Sequence, residues 1–158
     1  YRLYEKGALM INLESILAEW KEDSIIHQHQ LDKTSMDTPK MHAKYLEYLS
    51  LTKLRLKKAE FSQKSLLKDK WLWYNGKMDE ETMKSKNWSP DPFNGLKVLK
   101  GDLEKYYYDA DQEIQESEIR IQYLKTIVET LESIMNNLNW RHTTIGNIIK
   151  IRQLEAGY

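Results

Sequence analysis

One pattern limits the folds open to this chain more than any other. Leu103, Tyr107, Ala110, Ile114, Ser117, Ile121, Leu124, Val128, Leu131, Met135 and Leu138 recur at alternating steps of four and three residues. Five heptads with Ser117 as the single polar interruption specify a long, coiled-coil-like helix with one buried edge, expected over residues 102–138. The Asn136-Asn137 pair weakens the rhythm, and residues 139–144 are expected to kink or turn. A last helix, residues 140–156, carries Ile145, Ile148, Ile149, Ile151 and Leu154 and ends at Gly157. Apolar residues on three sides of so short a helix imply burial between chains, so Ile145, Ile148, Ile149 and Leu154 are expected at a subunit interface.

A second long helix reads over residues 39–75. Thr38 is the expected cap and Pro39 the first helical residue, and no Gly or Pro follows until Gly76, about ten turns later. Its seam is Tyr45, Leu49, Thr52, Leu56, Ala59, Gln63 and Leu66, again in 4-3 spacing, with a sparser stripe of Leu54, Phe61 and Leu72 nearly opposite. A helix apolar on two faces needs two partners, one of which can be a neighbouring subunit. Before it, Asn12 is expected to cap a short helix built on Leu13, Ile16, Leu17 and Trp20, and the polar, aperiodic residues 27–38 read as a linker. Residues 76–101 are a loop, opened by the turn-forming pair Asn75-Gly76 and holding Ser89-Pro90, Asp91-Pro92 and Asn94-Gly95, with Trp88 and Phe93 expected to pin it to the helices. Residues 1–9 differ in character from the rest of the chain and read as a leader or expression remnant, leaving residues 10–158 as one helical domain. The fold class is all-α, with long antiparallel helices.

Charge decides what such a helical protein meets. The 158 residues carry 24 Lys+Arg and 24 Asp+Glu, yet the balance hides a strong segregation. Residues 40–77 hold ten basic and three acidic residues, a net of +7, whereas residues 101–133 hold three basic and nine acidic, a net of −6. Lys53, Lys57, Lys64 and Lys68 lie within about 60° of arc at 100° per residue, and Trp71 falls on the same side. Lys70 and Lys77 extend the cationic end of the helix, where Trp71, Trp73 and Tyr74 gather. Ammonium groups neutralise phosphates and indole faces stack on unpaired bases, so this combination suits single-stranded nucleic acid. The same residues admit a plainer role. A +7 and a −6 helix can pair as a hairpin, Trp73 and Tyr74 project toward the seam as core residues do, and a lysine stripe can be a solvated face.

Enzymatic classes find little support. Cys is absent, which removes thiol catalysis, disulfides and thiolate metal sites. His27 and His29 lack the i, i+4 spacing of a helical metal pair, and no Gly-rich loop is present to cradle a phosphate. His42 reads as a surface residue, His142 as a turn residue, and Glu113 with Glu116 as solvated carboxylates. No catalytic residue, metal ligand or cofactor is expected.

Three features, in order, resemble the UvsY-like recombination mediators of T-even-type bacteriophages. Leu66-Leu67-Lys68-Asp69-Lys70 ends a basic helix and precedes a Tyr74-Asn75-Gly76 turn. A long amphipathic helix follows a variable loop. Arg152-Gln153-Leu154-Glu155-Ala156-Gly157 is similar to the family's closing tail. The resemblance covers residue 10 to the end and implies a non-enzymatic protein of the infected host's cytoplasm, without a membrane segment. It implies a ring-like homo-oligomer of about six or seven subunits that binds single-stranded DNA. Its partners would be a UvsX-like recombinase and the phage single-strand-binding protein, which the recombinase replaces. Carried across, the family's basic DNA-contacting pair falls on Lys68 and Lys70, and its assembly helix on residues 140–156. Asp69 between the lysines, and Trp71 and Trp73 after them, depart from the family pattern. Lys53, Lys57, Lys64, Lys68, Lys70, Trp71 and Lys77 are therefore the candidate DNA contacts. The alternative is a structural coiled-coil adaptor that binds no nucleic acid.

Overall fold

A computed structural model describes residues 11–158; residues 1–9, expected to be a leader, lie outside the described part. Among the described residues there is no strand, and the order is α1 (Leu13–Asp23), α2 (Leu31–Tyr74), α3 (Glu80–Lys86), a short α4 (Lys100–Asp102) running into a π-helical turn (Leu103–Tyr108), and α5 (Gln112–Glu155). No helix among them is long and apolar enough to cross a membrane. The chain forms two compact units, one of residues up to Arg55 together with Leu124–Tyr158, the other Leu56–Tyr123.

The first unit is built on α1, the start of α2 and the end of α5. Asn12 caps α1 as expected, its Oδ1 accepting the Ser15 N–H at 2.7 Å. Ile16 then meets Tyr45 and Leu49 of α2 and Ile127, Leu131, Ile134 and Leu138 of α5 in one apolar core. Lys44 joins Asp23 and Glu19, while the Tyr45 hydroxyl donates to Asp23 at 2.8 Å and Tyr48 to Glu19 at 3.1 Å, so α1 runs antiparallel to α2.

Three boundaries differ from the sequence reading. The segment read as linker is helical from Leu31, with Pro39 inside α2 rather than at its start. Proline removes one helical hydrogen bond, but the turns before it are held by their own side chains. The Thr34 hydroxyl donates to the Gln30 carbonyl at 2.9 Å and Thr38 to Thr34 at 3.0 Å, with Thr34 buried. The helix expected over 102–138 instead breaks before Gln112, because Asp111 acts as a cap, its Oδ1 accepting the Ile114 N–H at 3.1 Å. The kink expected at 139–144 is absent. Arg141 is buried there and reaches the Ile25 carbonyl at 3.2 Å and the Ser24 carbonyl at 3.5 Å, so the last two predicted helices are one. A cation on the carbonyl end of α1 is favourably placed against its dipole.

The second unit joins the end of α2 to the start of α5 as an antiparallel pair, with Gln63 bonded to Ser117 at 3.2 Å. Gly76 at φ +68° ends α2, the Gly76 N–H bonding Trp73 and the Lys77 N–H bonding Leu72. Asn87 at φ 61° ends α3 in the same way and turns Trp88 back onto Trp73, ring centroids 5.2 Å apart. Phe93 packs on Tyr74 at 5.8 Å and on Tyr107 at 4.9 Å, so both loop aromatics pin the loop as the sequence suggests.

Candidate nucleic-acid interface

The basic half of α2 presents two chemically distinct sides. On the inner side the 4-3 rhythm of Ala59, Gln63 and Leu66 continues to Lys70, and Lys70 is only 3% exposed. Its Nζ lies 3.0 Å from Asp111 Oδ2 and 3.2 Å from Glu113 Oε1. The same ammonium sits over the rings of Trp88 and Trp73, at 4.1 and 4.7 Å from their centroids. The Tyr74 hydroxyl donates to Asp111 at 2.6 Å and the Trp88 indole N–H to Glu113 at 2.7 Å. Burial works against an ionised Asp111, but the bonds from Tyr74, Lys70 and the Ile114 amide outweigh it and hold that carboxyl below its ordinary value. Burial and the bond to Asp111 push the Tyr74 phenol up, keeping it a donor. Lys70, expected to contact DNA, is therefore removed from solvent. The reason is positional: it occupies a seam site and spends its charge on the acidic start of α5.

The outer side is open. Lys57, Phe61, Lys64, Lys68 and Trp71 follow one another at steps of four and three and span about 80° of arc. Lys57 and Lys68 are among the exposed residues, with side chains 62% and 73% accessible. Their nearest carboxylates, Glu60 at 3.8 Å and Asp69 at 4.0 Å, are long surface pairs of the kind that contribute little. Lys64 lies over Phe61 at 5.6 Å and Lys57 over the same ring at 5.1 Å. The αL turn at Gly76 returns Lys77 over Trp71 at 4.7 Å. Lys53 belongs to the other compact unit, where its ammonium meets Glu132 at 3.6 Å. Asp69, the departure between the two lysines, accepts Lys86 at 3.1 Å and so is partly neutralised.

The family model described as "Recombination, repair and ssDNA binding protein UvsY" matches residues 19–158. The chain belongs to the UvsY family. Crystal structures of the bacteriophage T4 recombination mediator protein UvsY share its fold. In one lattice the TM-score is 0.75 at 21% identity, covering 93% of this chain and 99% of that one. In another the TM-score is 0.73 at 19% identity, covering 92% and 99%. A comparison with curated proteins gives no match.

Within this UvsY-family fold the four assembly candidates separate. Ile145 is 4% exposed, packed within its own chain, and so is corrected from an intersubunit to an intrachain role. The cause is the uninterrupted α5, which carries the first unit's buried face onward from Leu138 through Arg141 to Ile145. Ile148 is half-buried, while Ile149 and Leu154 are exposed. A seam the sequence reading missed runs along the outside of α5: Trp140, Thr144, Asn147, Ile151 and Leu154, all exposed and spaced 4-3-4-3. The break expected at 139–144 conceals it. Among the described residues no cluster of three or more His, Cys, Asp or Glu could hold a metal ion.

Proposed function

We propose that this protein is a recombination mediator that grips single-stranded DNA through Lys57, Lys64, Lys68, Lys77 and Trp71. The observation that carries the reading is the exposed lysine stripe on a chain of a single-stranded-DNA-binding family. Its ammonium groups face solvent or lie on aromatic rings, ready to exchange those contacts for phosphates. Lys70 supports the site indirectly by locking the end of α2 against the start of α5.

One subunit offers few cations and binds weakly. A ring of about six or seven copies, in the cytoplasm of an infected bacterial host, multiplies the patch and gains avidity without new contacts. Self-assembly uses the outer α5 seam of Trp140, Ile151 and Leu154, whereas Ile149 lies on the opposite side of the helix. Asn147 in mid-seam would set register, as a polar residue does in coiled coils. Wrapping the strand around the ring strains it relative to its path on the phage single-strand-binding protein. That lowers the cost of replacement by a UvsX-like recombinase.

Anisotropy of a labelled oligo(dT) at low salt, read beside the light-scattering mass, tests this. Saturable binding by a multi-subunit particle is the expected result, with a smaller mass and unchanged helicity for Ile151→Ser/Leu154→Ser. An adaptor without nucleic-acid binding would leave the anisotropy flat.

A further inference from the structure

We propose that Phe61 is a base-stacking platform, so that the lysine stripe takes hold of unpaired nucleotides by base and phosphate together. The inference rests on the single-stranded-DNA reading above and adds to it a residue that charge alone would not select.

Phe61 is 56% exposed at the centre of the stripe, between Lys57 and Lys64. A lone exposed aromatic would need no explanation. Phe61 differs because both neighbouring ammoniums converge on its ring, at 5.1 and 5.6 Å from the centroid. The arrangement recurs ten residues on, where Trp71 is 43% exposed and Lys77 lies over it at 4.7 Å. Ten residues rise about 15 Å along a helix. Two open rings, each with a cation on its face, thus sit on one side of α2 with Lys64 and Lys68 between them.

The chemistry of exchange comes from this geometry. A lysine held on a ring by a cation–π contact is weakly committed at an exposed site. An arriving phosphate offers the ammonium a charged partner, and the ring face it leaves is then open to the base of the same or the next nucleotide. Stacking of this kind is tolerant of sequence, because every base has a π-face. In a duplex the bases are stacked on one another and out of reach, so duplex DNA would meet only the lysines. The predicted ligand is therefore unpaired DNA, with discrimination against duplex resting on the rings.

Binding of labelled oligo(dT), of the same oligonucleotide with abasic sites throughout, and of a duplex of equal length provides the test. With an oligo(dT) short enough to engage one subunit, Phe61→Ala and Phe61→Leu should each weaken binding about 5- to 160-fold. Neither should change the slope of log affinity against log salt, whereas Lys64→Ala should lower that slope by about 0.7. Phe61→Trp should bind as the parent does. On the abasic strand and the duplex, Phe61→Ala and parent should be equal. Equal binding of oligo(dT) by Phe61→Ala and parent overturns the stacking role and leaves the lysine site standing. A smaller particle mass for Phe61→Ala overturns it in favour of a protein contact. Failure of the parent to bind any oligonucleotide at low salt overturns the DNA reading itself.

Discussion

Replacing Lys70 separates a structural lysine from a DNA contact. In Lys70→Ala, Asp111 stays buried with its side chain 5% exposed and loses one of its partners, while Glu113, half exposed, is rehydrated. Breaking a buried ion pair from one side costs about 3–5 kcal/mol. The lower end applies, because Asp111 keeps the Tyr74 hydroxyl and the Ile114 amide and the Glu113 interaction is screened by water. Two cation–π contacts with Trp73 and Trp88 are lost as well. A total near 3 kcal/mol corresponds to a urea midpoint lowered by about 1–3 M at slopes typical of small domains. Tryptophan fluorescence in urea reads this directly, since Trp73 and Trp88 pack against the Lys70 ammonium. At salt and temperature where the variant is folded, the salt slope of oligonucleotide binding should match that of the parent. A variant of unchanged stability whose slope falls by about 0.7 for each subunit engaged would refute the structural assignment and return Lys70 to the DNA surface.

The same packing sets the size of other substitutions. Ile127 is fully buried whereas Val128 is half-buried, so Ile127→Ala should cost about 2–5 kcal/mol and Val128→Ala clearly less, by urea unfolding. Asn12→Ala removes the bond to the Ser15 amide and should cost about 1 kcal/mol by the same measurement. Asp111 has its native pKa held below the ordinary 3.8, so its stabilisation is complete above that value and is lost as pH falls through the lower native one. The stability gap between parent and Asp111→Asn should therefore be widest near neutral pH and shrink as pH falls below about 4.

The seam of α2 is legible in the sequence because its inward members, Tyr45 through Leu66, keep a strict 4-3 spacing. Lys70 is the next step of that spacing. Its residue type, beside Lys68 in a motif that resembles a DNA-contacting pair, points the other way from its position, and position decides. In α5 the heptad pattern gives the right face at first. Past Leu124, however, the buried set becomes Ile127, Leu131, Ile134 and Leu138 in place of Val128 and Met135. Here α5 shares its core with Ile16 of α1 as well as Tyr45 and Leu49 of α2, and Val128 and Met135 lie partly buried at its edge, so the second packing partner, which a seven-residue reading of α5 alone does not contain, turns the buried face. The helical start of α2 is hidden because Thr34 and Thr38 suggest turns and caps, and only the buried surroundings of Thr34 decide for helix. The Asp111 cap leaves a weak signal, an Asp three residues before the buried Ile114, masked by the apolar rhythm running through it.

If the outward lysines of α2, and not Lys70, hold the phosphates of a single strand, removing them together must change how binding responds to salt. The most direct measurement is the salt dependence of oligo(dT) binding by Lys57→Ala/Lys64→Ala/Lys68→Ala at confirmed parental particle mass. A slope reduced by about 2 for each subunit the strand engages, the sum of three lost phosphate contacts, is the predicted result. An unchanged slope would contradict it and leave the stripe as a solvated face.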